Sequence, residues 1–115
     1  MTRPTQLAYL CHMRDALAAV REYTAGGRDA FFASPMIQDA VLRNLEVLGE
    51  AVKGLNDSTR SRAPDVPWRR IAGMRDVLIH QYFGVDLDVI WRVVEDDVPE
   101  LLVVTGRLID ELPAA

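Results

Sequence analysis

The sequence has one cysteine, one lysine, two histidines and few aromatic residues of any kind. A single cysteine cannot close an internal disulfide, so a reducing compartment and a cytoplasmic location are expected. Cys11 falls within an amphipathic run and reads as a small buried hydrophobe rather than a reactive thiol. No stretch approaches the ~20 uncharged apolar residues of a membrane span, and Met1-Thr2-Arg3-Pro4 opens the chain without a signal-peptide core. No membrane association is therefore expected. Strand patterning, internal repeats and low-complexity tails are all missing. The two histidines, His12 and His80, are far apart in sequence, and neither sits in a cluster with metal-ligand spacing. No metal and no other cofactor is expected, and His12 is expected on a helix surface.

Half of the residues are hydrophobic, mostly Leu, Ala and Val, and they recur three and four apart. That is the helical period. A chain of 115 residues is long enough for one core that buries roughly two-thirds of the unfolded surface, so residues 1–115 read as a single domain.

The formal charge of −4 argues against nucleic-acid binding by bulk electrostatics. Its distribution says more than its sum. Residues 1–52 carry a net −1, residues 53–75 a net +4, and residues 76–115 a net −7. The one basic stretch, with Lys53, Arg60, Arg62, Arg69, Arg70 and Arg75, could meet phosphates. Equally, Arg60 and Arg62 could do no more than solvate a loop. The acidic C-terminal region suits a partner of complementary charge.

Capping signals divide the chain into helices. The first runs from Thr5 or Gln6 to about Thr24, with Leu7, Leu10, Cys11, Leu17, Val20 and Tyr23 along its stripe, and Gly26-Gly27 stop it. A short turn or helical piece at 29–32 follows. Ser34 with Pro35 then starts a second long helix that buries Val41, Leu45, Leu48 and Val52. Residues 57–64 read as a loop. Asp65 and Pro67 begin a third helix carrying Trp68, Ile71, Met74 and Leu78, which stops near Gly84. Asp86 caps the last helix, and Pro99 should kink or split it near 95–97. The expected fold class is all-α, an antiparallel up-and-down bundle of four principal helices.

The third helix holds the candidate chemistry. Stepping ~100° per residue from Ile71 puts Met74 and Leu78 on the core face and Arg69, Gly73, Asp76 and His80 on the opposite one. Asp76 and His80 are four apart, so the carboxylate could fix the imidazole tautomer. Gly73 leaves room for a second helix or a ligand. Arg75 does not share this face, because five residues amount to ~140° of rotation. Either the helix loosens, the long side chain wraps around, or a second copy of the chain completes the site. On spacing alone a solvated Asp–His pair remains the more ordinary reading.

The run from Trp68 to Asp86, with its Arg75-Asp76-Val77-Leu78-Ile79-His80-Gln81-Tyr82 core, closely resembles the signature of the HepT-like HEPN domains of prokaryotic toxin–antitoxin pairs. Asn44-Leu45-Glu46-Val47-Leu48-Gly49-Glu50-Ala51 is similar to that family's second-helix segment, and Trp91 with Pro99-Glu100-Leu101 to its C-terminal part. The resemblance covers residues 5–112 and implies a HEPN-like bundle acting as a homodimer. It implies a metal-independent endoribonuclease toxin that uses Arg75 and His80, with Asp76 supporting His80. It further implies silencing by a cognate minimal nucleotidyltransferase, the antitoxin, which transfers AMP to Tyr82. Two other readings stay open. One is a non-catalytic nucleotide-binding protein, or a helical partner and substrate of a nucleotidyltransferase. The other is a plain interaction module that keeps the motif for packing.

Overall fold

The computed structural model describes residues 4–80 and 84–113, with the backbone alone described at 77, 79 and 80. Among these residues the secondary structure is entirely helical, as the periodicity requires. Helix α1 (Gln6–Tyr23) begins where Thr5 Oγ1 accepts from the Ala8 amide at 3.0 Å. The chain leaves it through Gly27, whose φ of +93° suits a residue without Cβ. After the short α2 (Arg28–Ala33), Ser34 Oγ accepts from the Ile37 amide at 3.2 Å and Pro35 opens α3 (Pro35–Lys53).

The segment 57–64 departs from its expected loop. It opens with a helical turn, α4 (Asp57–Arg60), because Asn56 Oδ1 accepts from the Thr59 amide at 2.9 Å and Thr59 is buried. Nor does Arg60 merely solvate it: Nη2 donates to the Val52 carbonyl at 2.8 Å, a second hydrogen bond to an acceptor in the last turn of α3 that also takes the Leu55 amide. Trp68 then anchors the start of α5 (Trp68–His80) by sharing its indole N–H between the Arg60 and Ala63 carbonyls at 3.1 and 3.0 Å.

Asp86 Oδ1 caps α6 (Leu87–Arg92), accepting from the Asp88 amide at 2.9 Å. The expected break before Pro99 takes the form of a π-helical turn over Val93–Asp97, in which the Val98 amide donates to the Val93 carbonyl, before α7 (Val98–Glu111) resumes. Pro99 has no N–H and its ring crowds the carbonyl four residues back. Widening the preceding turn relieves that clash without ending the helix.

Helices α1, α3, α5 and the α6–α7 rod are the four principal members of the bundle. Gln6, at the start of α1, donates to the Gly54 carbonyl at 3.0 Å and accepts from the Asn56 amide at 2.8 Å, so α1 and α3 run antiparallel. Arg107 of α7 donates to the Arg62 carbonyl at 3.2 Å, which likewise sets the end of α7 beside the start of α5. The shared core holds Leu10, Leu17, Leu45, Leu48, Val98 and Leu108, all essentially inaccessible. Each contributes about 1.5–3 kcal/mol relative to exposure. Three details escaped the periodicity: Cys11 is only half-buried while Met13 takes the core position, Tyr23 is exposed, and Thr105 is fully buried. Among the described residues no helix is long and apolar enough to cross a membrane.

One contact fixes the separation of α3 and α5. A Cβ built on Gly49 would lie 2.7 Å from Arg75 Cβ and 3.2 Å from the Ile71 carbonyl oxygen, so only glycine admits α5 at this distance. Gly106 in α7 has no such neighbour within 4 Å. Gly49→Ala is therefore expected to destabilise the protein by about 1–3 kcal/mol through overpacking. Gly106→Ala should be neutral, or stabilising by up to about 1 kcal/mol through helix propensity. Denaturant melts of both variants check this, and equal effects would show that the close approach is not real.

Candidate functional site

Arg75 and Asp76 lie midway along α5, at the point where Gly49 draws that helix against α3. The guanidinium Nε of Arg75 is 2.6 Å from Glu50 Oε2, and Nη1 is 3.3 Å from Asp76 Oδ1. Lys53, one turn beyond Glu50, donates to both Asp76 oxygens at 2.9 and 3.2 Å. The result is an ionic chain, Glu50–Arg75–Asp76–Lys53, that stitches two helices together. The hydrogen bond from Lys53 holds the Asp76 carboxyl below its ordinary pKa. Partial desolvation opposes this, while the charges of Lys53 and Arg75 reinforce it.

Asp76 was expected to orient His80. In the described structure its oxygens accept from Lys53 and Arg75, and Lys53 had no part in the sequence-based site. The backbone of His80 is the last residue assigned to α5, while its side chain, like Tyr82 as a whole, lies outside the described residues. Arg69 is exposed near the start of α5. Among the described residues no atom lies within 4 Å of where a Cβ on Gly73 would stand.

Two grooves flank α5. One, of about 710 Å³, runs over the outer face of α3 between α1 and α5, with Arg75 and Glu50 on one side and Tyr9 and His12 on the other. His12 is exposed on a helix, as expected, but the fold brings it to the same groove as Arg75. The other groove, of about 560 Å³, lies between α5 and the α6–α7 rod. It is mostly apolar, with Gly73, Met74, Leu78, Val89 and Leu101 among its walls. Among the described residues no three His, Cys, Asp or Glu side chains converge as metal ligands.

Carboxylates engage Arg75 at both Nε and Nη1, and the guanidinium keeps its charge at the border of the groove whatever the pH. The fold thus sets a tethered guanidinium at the edge of an open groove.

Comparison with known proteins places this geometry in context. The family model described as "Ribonuclease HepT-like" matches residues 13–108. A Methanocaldococcus jannaschii protein, named as a gamma-glutamylcyclotransferase and provisionally as an RNase, is 42% identical over 105 residues, covering 90% of this chain and 47% of the relative. A second protein of that organism, named provisionally as an RNase, is 36% identical over 102 residues, covering 88% of this chain and 94% of the relative. One from Thermococcus cleftensis, named a probable ribonuclease HepT, is 40% identical over 94 residues, covering 81% and 86% respectively. The chain thus spans about half the length of the first relative and most of the other two. No solved structure matches it.

The ion pair of Asp76 makes a direct expectation. Lys53→Met should move the Asp76 titration midpoint upward, toward the ordinary aspartate value, as read by carboxyl NMR. Because the folded-state pKa is the lowered one, the pair stabilises the fold above about pH 4 and is lost as acid protonates Asp76. An unchanged midpoint would show that Lys53 does not hold this carboxylate in solution.

Proposed function

From the premise that the chain belongs to the HepT-like ribonuclease family, we propose that it is the toxin of a prokaryotic toxin–antitoxin pair, a metal-independent endoribonuclease with Arg75 and His80 as catalytic residues. The observation that carries this reading is the ion-paired Arg75 beside an open groove, five residues before His80 and within the matched span. Residues 1–115 act as one HEPN-like domain.

RNA carries its own nucleophile. His80 removes the proton of the 2′-hydroxyl, and the 2′-oxygen bonds to phosphorus as the bond to the 5′-oxygen breaks. That oxygen takes a proton from solvent water, so that the upstream fragment ends in a 2′,3′-cyclic phosphate and His80 releases its proton to solvent. Arg75 neutralises the charge that develops on the phosphoryl oxygens. Glu50 and Asp76 hold the guanidinium ready for that task, so Asp76 supports Arg75 as well as any role beside His80.

The active form is a homodimer. Arg75 and His80 are separated by ~140° around α5, which a second copy resolves by completing each site. The bare face at Gly73 and the apolar groove beside it suit such a copy. Tyr82, two residues beyond His80, accepts AMP from a minimal nucleotidyltransferase: the phenol oxygen bonds to the α-phosphorus of ATP, and pyrophosphate leaves. The added phosphate repels RNA from Arg75 and the nucleoside blocks its approach.

Purified protein with excess chelator should cleave RNA and leave 2′,3′-cyclic phosphate ends. His80→Ala should lower the rate by roughly 10²–10⁴-fold, and Arg75→Ala should lower it comparably. Cleavage that survives His80→Ala would assign it to a contaminant, and no cleavage in any condition would favour the non-catalytic reading. Tyr82→Phe should keep the nuclease activity and lose the mass gain in AMP units when the nucleotidyltransferase and ATP are added. Labelling that persists would remove Tyr82 from that role.

A further inference from the structure

We propose that the groove over α3 is a binding track for a single-stranded segment of RNA, with Tyr9 and His12 as its base-stacking wall and Arg75 at its phosphate end; this rests on the ribonuclease reading of Arg75. The groove is built rather than incidental. Two glycines of the α3 segment, five residues apart, each admit one wall. Gly49 lets α5 approach at Arg75, and a Cβ on Gly54 would overlap the Tyr9 ring. Gln6 pins the same end of the groove through both of its amide atoms, to the Gly54 carbonyl and the Asn56 amide. Tyr9 and His12 meet edge to face with centroids 6.3 Å apart, so two ring systems stand together on the α1 wall.

The chemistry suits a single strand better than a duplex. The floor runs from Arg43 to Lys53, which is ~15 Å of helix. Unpaired bases can turn their faces onto aromatic rings, whereas a duplex keeps them stacked inside. Charge sets the mode of binding. Arg75 is paired with Glu50 at 2.6 Å and Arg43 with Glu46 at 3.7 Å, so the groove is nearly neutral despite its three cations. It does not repel a nucleic acid as the acidic chain as a whole would, yet it draws little affinity from counterion release. Stacking therefore dominates, and salt dependence is shallow.

The test uses the full chain and a fluorescent 2′-O-methyl oligoribonucleotide, which lacks the nucleophile and cannot be cleaved. His12→Ala, at an exposed position, and Tyr9→Leu should each weaken binding by roughly tenfold. Tyr9→Phe should bind as the wild type does, and Arg92→Ala on α6 should have no effect. A single-strand salt slope no steeper than about −1.5 is expected for one or two phosphate contacts. A 4-thiouridine probe should cross-link to residues 6–12 or 43–54. Unchanged affinity in His12→Ala and Tyr9→Leu, cross-links confined to other faces, or no binding at all would overturn the track. Cleavage of unmodified RNA keeps the two questions apart. Loss of cleavage in Arg75→Ala with unaltered binding in the groove variants would sink the track and leave the ribonuclease reading. Groove-dependent binding by a protein that cleaves nothing would do the reverse.

Discussion

The approach of α5 to α3 at Gly49 is the constraint on which the site depends. With no Cβ at that position, Arg75 sits directly against α3, and its guanidinium reaches Glu50 on the next residue of the same helix. One turn further, Lys53 meets Asp76. A larger residue at Gly49 would push α5 outward and part both ion pairs at once. Each pair is partly exposed and worth little as a source of stability. What they supply is orientation, because an arginine tethered through Nε presents its terminal nitrogens in a fixed direction.

Features determined by near neighbours in sequence were readable from the residues. Thr5, Ser34-Pro35 and Asp86 are helix starts because a side-chain oxygen meets amides two or three residues on, an interaction complete within one turn. The disturbance before Pro99 was readable for the same reason, although a π-helical turn rather than a kink resolves it. The turn at Asp57–Arg60 was not readable. Its polar sequence has no helical period and the local Asn56 cap spans only one turn, which tertiary contacts complete: Thr59 is buried, Arg60 donates to the Val52 carbonyl, and the Trp68 indole donates to the Arg60 carbonyl. Met13 displaced Cys11 from the core because a stripe fixes a face only to within one residue.

The candidate site divides along the same line. Arg75, Asp76, His80 and Tyr82 stand out because their spacing and flanks form one contiguous pattern. Glu50 and Lys53 left no comparable mark, since what matters about them is their distance from another helix. A hint was there in composition: Lys53 is the one lysine among thirteen basic residues, where arginine otherwise serves throughout. His12 was dismissed as remote in sequence, yet α1 and α5 both pack on α3, and that shared neighbour brings its ring to the groove that Arg75 borders.

The two glycines also bear on how such a groove changes over evolutionary time. Its width is set in the floor, at Gly49 and Gly54, rather than by the side chains that line its walls. A single methyl group added at either position would spread one wall and leave the other in place. Related chains can thus alter what the groove admits in small steps, one side at a time, without replacing Arg75. Change at Gly54 moves only the α1 wall and leaves Arg75 with its ion pairs, whereas change at Gly49 moves the α5 wall and parts them, so the two sides of the groove are not equally free to vary.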